Sequence, residues 1–166
     1  MKKILFTSML LMLGLLVLAQ DKSQRPSPPA TASGMSGDTK ITVEYSQPAV
    51  KGREIWGGLV PYGKIWRAGA NESTSIEFSK DVSLDGKNIP AGKYAFFVIP
   101  NKDEWTIVLN KTIAWGTYSY KEEEDVVRFN VPAKKTEESI ERLTFKVKEG
   151  KVGLMWDNAM ASFKVK

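Results

Sequence analysis

Apolar and polar residues alternate along most of the chain, and this alternation predicts β-strands. Residues 40–45 read Lys-Ile-Thr-Val-Glu-Tyr, so that Ile41, Val43 and Tyr45 share one face. Residues 142–148 follow the same rule. A period of two residues is typical of a strand with one buried face, whereas an amphipathic helix repeats about every 3.6 residues. Because almost no segment has the helical period, the pattern indicates an all-β domain.

Two hairpins are the clearest local predictions. Residues 93–100 are apolar on both faces, which predicts a central strand that is covered on each side. The chain then turns through residues 101–104 into the apolar run 105–110, and we expect these two strands to pair at the heart of the sheet. Residues 82–89 contain Asp85-Gly86, a dipeptide typical of a short hairpin turn.

The C-terminal third predicts three closing strands. Residues 132–138 form a polar connection, and after the alternating residues 142–148 the Glu149-Gly150 pair turns the chain. Residues 152–156 continue the core, and Asp157-Asn158 predicts one more turn into the last strand. Nine or ten short strands in total predict a single antiparallel β-sandwich of jelly-roll or immunoglobulin-like type.

The N-terminus has the layout of a secretory signal peptide, residues 1–19. Lys2 and Lys3 precede an apolar run over residues 4–18, and Ala19 ends a small-residue cleavage site. The run is too short for a comfortable membrane span. We therefore expect cleavage near Ala19, a periplasmic or secreted protein, and no stable membrane span in the mature chain.

The segment after the signal peptide, residues 20–38, is rich in Pro, Ser, Gly, Ala and Thr. Its first half predicts an extended linker, while its second half is compatible with an edge arm added to the sheet. Residues 39–166 remain as one β-sandwich domain, a length that suits a single core. The chain has no cysteine, so no disulfide framework holds this fold.

Composition excludes several classes of function. The chain has neither histidine nor cysteine, which removes Ser-His-Asp and Cys-His catalytic systems and the usual zinc ligands. We therefore expect no metal and no cofactor. Loss of Lys2 and Lys3 with the signal peptide lowers the formal net charge from +5 to +3. Because positive and negative residues are interspersed, this small excess disfavours nucleic-acid binding.

Residues 52–78 contain the densest group of unusual residues, with two tryptophans, a tyrosine and several glycines. Gly69 and Asn71 tolerate positive φ angles, which predicts a tight turn or bulge there. Arg67 and Glu72 would then lie at the two mouths of this turn. They would either pair with each other or face a ligand together.

Aromatic faces beside polar groups suit sugar rings, whose C–H faces are apolar and whose rims carry hydroxyl groups. The candidate ligand-binding residues are Arg53, Trp56, Tyr62, Trp66, Arg67, Asn71 and Glu72, with Trp115, Tyr118 and Tyr120 as secondary candidates. In the alternative interpretation, the tryptophans fill the core and the polar residues form a buried, satisfied network. Residues 64–67 read as a strand, so one of Trp66 and Arg67 is expected to point inward.

Glu72 is also the centre of an enzymatic alternative. Without histidine or cysteine, an enzyme would depend on carboxylates, which points to glycoside cleavage or lyase chemistry. Glu72 would be the acid or the nucleophile, with Glu54 or Asp81 as its partner. The structural alternative has Glu72 capping the turn or pairing with Arg67, because carboxylates with perturbed pKa values also occur in structural networks.

A weaker pattern concerns anions. Lys51, Arg53 and Lys64 could form an anion site with the backbone amides of Gly57 and Gly58. No phosphate-loop spacing accompanies them. Solvated basic side chains are therefore the simpler account.

Five motifs occur in an order that resembles one known family. They are KGR at residues 51–53, WGGLVPYG at 56–63, WRAGANE at 66–72, PAGKY at 90–94 and WGTYSY at 115–120. Together, from about Arg25 to about Val131, they resemble the secreted bacterial family called domain of unknown function 2911. The resemblance implies a secreted or envelope β domain of Bacteroidota-type bacteria, and it carries no established activity to transfer.

These observations favour an exported, non-catalytic binding or interaction module of the bacterial cell envelope. Its expected partner is a glycan, a peptide or another envelope component. One alternative is a carboxylate-dependent glycoside hydrolase or lyase centred on Glu72. The other is a purely structural envelope protein that associates with itself through an exposed edge strand or apolar patch.

Overall fold

The computed structural model describes residues 21–166, so the predicted signal peptide, residues 1–19, lies outside the described residues. Within them the chain forms ten strands and two short 3₁₀ turns, Lys22–Gln24 and Glu122–Glu124. The strands are β1 (Pro29–Ser36), β2 (Thr39–Ser46), β3 (Ser75–Phe78), β4 (Val82–Leu84), β5 (Lys87–Ile89), β6 (Gly92–Pro100), β7 (Glu104–Asn110), β8 (Asp125–Pro132), β9 (Lys134–Lys148) and β10 (Lys151–Lys164). No helix in this range is long and apolar enough to cross a membrane.

Antiparallel pairing organises the strands into two layers and a small hairpin. Six strands form one sheet in the order β1-β2-β3-β6-β7-β8, and β9 pairs with β10 in the second layer. β4 and β5 form the hairpin, and its turn residues Asp85 and Gly86 have φ angles of 50° and 78°. The predictions of an antiparallel β-sandwich, a central pair of strands, now β6 and β7, and a hairpin at Asp85-Gly86 are confirmed.

The core lies between the two sheets. Phe96 on β6 contacts Phe145 on β9 and Phe163 on β10, with ring centroids 5.4 Å and 6.1 Å apart. Tyr45 on β2 packs against Phe145 at 4.8 Å, and its hydroxyl oxygen accepts a hydrogen bond of 3.1 Å from the backbone N–H of Phe145. Because the chain has no disulfide bonds, burial of these large side chains is the main source of stability.

β6 is apolar on both faces because both faces are covered. Tyr94, Phe96 and Val98 belong to the main core, while Ala95 and Phe97 pack in a second, smaller cluster on the opposite face. That smaller cluster is covered by the partly buried side chains of Ile65, Ile99 and Tyr120. This arrangement confirms the predicted coverage of the central strand.

The end of the chain differs from the prediction of three short closing strands. It forms two long strands, β9 with 15 residues and β10 with 14 residues. Residues 134–138, predicted as part of a polar connection, already belong to β9, and most of their side chains are exposed, so no apolar alternation reveals the strand. The predicted turn at Asp157-Asn158 is wrong. Asp157 has a φ of 50° and lies between two register shifts of the β9–β10 pair, which marks a β-bulge.

The segment before β2 contains a strand and an irregular arm. Residues 29–36 form β1 along β2, and residues 21–28, the N-terminal arm, precede it. β1 also approaches β9 closely, because a Cβ at Gly34 would lie 2.6 Å from the carbonyl oxygen of Val147 and 2.9 Å from its Cγ1. Gly34 therefore permits an approach of two backbones that a larger residue would prevent.

Replacing Gly34 with alanine should destabilise the domain by roughly 1–3 kcal/mol, because the new methyl group would overlap the backbone of β9. Urea unfolding of Gly34→Ala beside the wild type measures the loss. Ser33→Ala is the matched control, since Ser33 is exposed on the same strand, and it should change stability by less than about 0.5 kcal/mol. Equal stability of Gly34→Ala and the wild type would show that β1 does not approach β9 this closely.

Candidate functional site

Four of the chain's five tryptophans pack against one another. Trp105 on β7 and Trp156 on β10 are buried, each only 1% exposed. Trp56 and Trp66 come from the segment between β2 and β3, and their rings pack on these two buried tryptophans. The ring centroids are 4.6 Å apart for Trp56 and Trp105 and 5.9 Å apart for Trp66 and Trp156. This tryptophan cluster therefore fixes the segment to both sheets.

The segment between β2 and β3 has little regular structure. Its pairings are isolated bridges, among them that of Trp66 with Val98, whose backbone groups exchange hydrogen bonds of 2.8 and 2.9 Å. The predicted strand at residues 64–67 is thus reduced to a single bridge. A regular strand would place Trp66 and Arg67 on opposite faces. Here both side chains are half-buried, so the prediction that one points inward and the other outward is not met.

The turn after Arg67 forms, but its positive φ angles lie at Ala68 (50°) and Asn71 (57°) rather than at Gly69. Gly69 instead supplies space, because a Cβ there would lie 2.6 Å from Oγ1 of Thr74. The Thr74 hydroxyl donates a hydrogen bond of 3.0 Å to the carbonyl oxygen of Ala68. This bond closes the turn.

The polar residues of the turn contact the N-terminal arm. The carboxylate of Glu72 accepts hydrogen bonds of 2.9 and 3.0 Å from Nη1 of Arg25 and one of 3.1 Å from Nζ of Lys22. The Nδ2 of Asn71 donates a hydrogen bond of 3.0 Å to the carbonyl oxygen of Ser27. Glu72 therefore forms its ion pairs with the arm and not across the turn.

These contacts hold the Glu72 carboxylate in its charged form. A hydrogen bond from its own backbone N–H, together with those from Arg25 and Lys22, lowers the pKa of Glu72 from 4.5 to about 2. The side chain is 39% exposed, so solvent screens the ion pairs and limits their contribution to stability. Glu72 is consequently ionised throughout the neutral pH range.

Arg67 lies at a different place, beside a cavity of about 370 Å³ that we call the Arg67 cavity. Three cationic residues line it, Arg53, Lys64 and Arg67, and no acidic residue of the described chain does. Its apolar lining includes Leu59, Val60, Ile65, Trp66 and Trp156. The cavity thus combines positive charge with an aromatic wall.

Two buried nitrogen atoms of residues that line this cavity have no hydrogen-bond partner within residues 21–166, namely Nε of Arg67 and Nε1 of Trp156. Arg67 also forms no ion pair within that range. Arg53 differs, because its Nε and Nη2 donate to the carbonyl oxygens of Val50 and Ala49. The described part of the protein therefore leaves the positive charge of Arg67 uncompensated.

The loop over residues 111–121, which we call the aromatic loop, lies against Arg67. A Cβ at Gly116 would lie 3.0 Å from Nη1 of Arg67, and Thr117 lines the cavity. Trp115 and Tyr118, on either side of these two residues, are exposed. The loop thus places two of the secondary candidates near the cavity.

Tyr120, the remaining secondary candidate, anchors the end of the aromatic loop. Its ring packs on Phe97 with centroids 5.1 Å apart. Its hydroxyl donates a hydrogen bond of 2.8 Å to Asp125 and accepts one from Arg128. Burial raises the pKa of Tyr120 to about 12. These contacts give Tyr120 a structural role.

A second cavity of about 380 Å³ lies on the other side of the tryptophan cluster and is lined by Trp56, Tyr62 and Trp105. The seven predicted ligand-binding residues therefore divide among three places. Arg53, Trp66 and Arg67 line the Arg67 cavity, Trp56 and Tyr62 line the second cavity, and Asn71 and Glu72 contact the N-terminal arm.

Several residues of the Arg67 cavity were not among the candidates. Trp156 lies in an alternating segment that is typical of a core strand, and Ser27 lies in an arm without periodicity. Nothing in the sequence therefore marks either residue as part of a cavity. Thr117 lies within the predicted aromatic group at residues 115–120. Lys64 occurs in the weaker anion pattern, and it lines the cavity together with Arg53.

The pH dependence of stability tests the contacts of Glu72. Its folded-state pKa is lowered, so its contribution is present above about pH 4.5 and is lost as the pH falls toward about 2. Glu72→Gln should lower the free energy of unfolding at pH 7 by less than about 1 kcal/mol, because the ion pairs are exposed. The difference from the wild type should vanish at the acidic end of this range, as measured by urea unfolding.

Glu77→Gln is the control, since Glu77 is exposed on β3 and forms no ion pair within the described residues. Its difference from the wild type at pH 7 should be less than about 0.5 kcal/mol, as expected of an exposed surface residue. A difference for Glu72→Gln that stays constant between pH 7 and pH 2 would contradict the low pKa.

Comparison with known proteins gave one match. A family model described as protein of unknown function, DUF2911, matches residues 27–165. Neither the curated proteins nor the solved structures gave a match. The matched residues include all ten strands, the tryptophan cluster and Arg67. The resemblance drawn from the five motifs is thus confirmed, and the chain belongs to the DUF2911 family of proteins of unknown function.

Proposed function

We propose that this protein is an exported, non-catalytic binding module of the bacterial cell envelope, and that it holds a small organic anion in the Arg67 cavity. The observation that carries the proposal is the half-buried guanidinium of Arg67, which has no hydrogen bond at Nε and no ion pair within the described residues. A phosphate or a carboxylate group would compensate for this charge.

Leaving the charge of Arg67 unpaired costs free energy. Removing an ion from water costs several kcal/mol in a protein, and native structures pair nearly all buried polar atoms. Arg67 and Trp156 are exceptions that lie beside the same cavity. A guanidinium presents its N–H groups as a planar fork that matches a carboxylate or a phosphate. Arg53 and Lys64 add to the positive potential there.

The apolar half of the cavity indicates what the rest of the ligand is like. Trp66 and Trp156 are stacked, with an interplanar angle of 16°, and Leu59 and Val60 extend the apolar lining. A volume of about 370 Å³ falls within the range of cavities that hold small molecules, roughly 300–1,000 Å³. The anion is therefore expected to carry an apolar or ring-shaped part that packs on the tryptophans.

Catalysis centred on Glu72 has less support. A general acid must hold a proton near the working pH, whereas the pKa of Glu72 is about 2. Glu44 lines the same surface cavity as Glu72, but it is paired with Lys93. Both carboxylates thus serve ion pairs, whereas the Arg67 cavity contains a charge without a pair.

Replacing Arg67 with methionine separates a binding role from a structural role. Arg67→Met should leave the free energy of unfolding unchanged or raise it by up to about 1 kcal/mol, because the change removes an unpaired charge that is half-buried. The variant should bind inorganic phosphate, glycerol phosphate or a uronic acid at least tenfold more weakly, since a charged hydrogen bond contributes about 1.5–3 kcal/mol. Tryptophan fluorescence measures this binding because Trp66 and Trp156 line the cavity.

Lys87→Met is the matched control. It removes one positive charge from an exposed residue of β5 that does not line the cavity, and its anion affinity should equal that of the wild type. A loss of roughly 3–5 kcal/mol of stability in Arg67→Met would assign Arg67 to the architecture instead. Unchanged fluorescence of the wild type with all three anions would refute the small-anion proposal.

A further inference from the structure

Exposed apolar side chains occur in the lining of the Arg67 cavity and in the aromatic loop that adjoins it. Leu59 lines the cavity and is 49% exposed. Trp115 and Tyr118 of the aromatic loop are 59% and 94% exposed, and they flank the two loop residues that touch Arg67 and the cavity. Large apolar side chains grouped on a surface mark an interaction site, because water solvates them poorly.

The aromatic loop presents these side chains from an anchored backbone. Asn110 is fully buried, and its side chain bonds both ends of the loop, donating to the carbonyl oxygen of Lys121 at 2.8 Å and accepting from the N–H of Thr112 at 2.9 Å. The hydroxyl of Ser73 donates to the carbonyl oxygen of Ala114. The loop is held at both ends and in the middle, while its two flanking aromatic side chains remain in solvent.

We propose that the Arg67 cavity receives the phosphate of a phospholipid headgroup, and that Leu59, Trp115 and Tyr118 enter the membrane surface around it. This inference rests on the proposed function, since it names the source of the anion. Tryptophan and tyrosine favour the membrane–water interface because their rings are apolar while the indole N–H and the phenol O–H stay hydrated.

Charge and shape together favour a phospholipid over a soluble anion. The cationic residues in the cavity lining or at the ends of the aromatic loop are Arg53, Lys64, Arg67, Lys111 and Lys121. In the acidic run that follows the loop, Glu122 and Asp125 are ion-paired with Arg128, whereas Glu123 and Glu124 form no ion pair within the described residues. A soluble anion would occupy the cavity and leave the apolar rim in water. A phospholipid supplies a phosphate for the cations and an apolar region for the rim.

Sedimentation of the mature chain with lipid vesicles tests this inference. The wild type should bind vesicles of phosphatidylcholine mixed with phosphatidylglycerol, and the double variant Trp115→Ser, Tyr118→Ser should bind them at least tenfold more weakly. Both replaced side chains are exposed, so the variant should fold as the wild type does. Met35→Ser is the matched control, since Met35 is a 48% exposed apolar residue of β1 that does not line the cavity. Its vesicle affinity should not change.

Glycerol phosphate in solution distinguishes this inference from the proposed function. Binding of glycerol phosphate without binding of the vesicles would overturn the membrane inference and leave the anion site intact. Binding of neither would overturn the membrane inference, and it would refute the proposed function as well if inorganic phosphate and the uronic acid also failed to bind. Equal vesicle affinity of the double variant and the wild type would also overturn the inference, because the apolar rim would then play no part. Competition of glycerol phosphate with vesicles that the wild type binds would support it.

Discussion

The contact of Trp56 and Trp66 with Trp105 and Trp156 is the interaction on which the rest of the structure depends. Within the described chain the segment between β2 and β3 pairs with other strands only through isolated bridges, and there are no disulfide bonds. Each aromatic pair contributes about 0.5–1.5 kcal/mol beyond the burial of its area. The indole N–H of Trp56 also donates to the carbonyl oxygen of Trp156 at 3.2 Å. The cluster therefore converts an irregular segment into a fixed surface that spans both layers of the sandwich.

The same cluster determines where cavities form. Trp66 and Trp156 line the Arg67 cavity, and Trp56 and Trp105 line the second one. Each cavity thus has an apolar wall that belongs to the core, and the polar residues around it are presented on a rigid support. The two tryptophans of the segment are close neighbours in the sequence, yet they lie at different cavities. For this reason the candidate residues predicted as one group divide among separate places.

Burial determines which elements of this protein can be predicted from the sequence. Ile41 and Val43 of β2 are fully buried, and their alternation with polar residues predicts that strand correctly. The first residues of β9 are mostly exposed on both faces, so no pattern distinguishes them from a loop. The partner of Glu72 was equally inaccessible, because Arg25 lies 47 residues away in the chain. Periodicity reports local burial, whereas an ion pair between distant segments depends on the path of the whole chain.

The different surroundings of Arg67 and Glu72 explain how one turn produces a cation without a partner. Opposite charges at the two ends of a turn would be expected to pair, and a pair would leave nothing for a ligand. Glu72 is paired instead with Arg25 and Lys22 of the N-terminal arm. Arg67 is then left half-buried with no carboxylate partner in the described chain. The arm also lines the Arg67 cavity through Ser27. A segment with the composition of a linker therefore contributes to the electrostatics of the turn, because it pairs with Glu72, the one carboxylate of the turn, while Arg67 has no ion pair within the described residues.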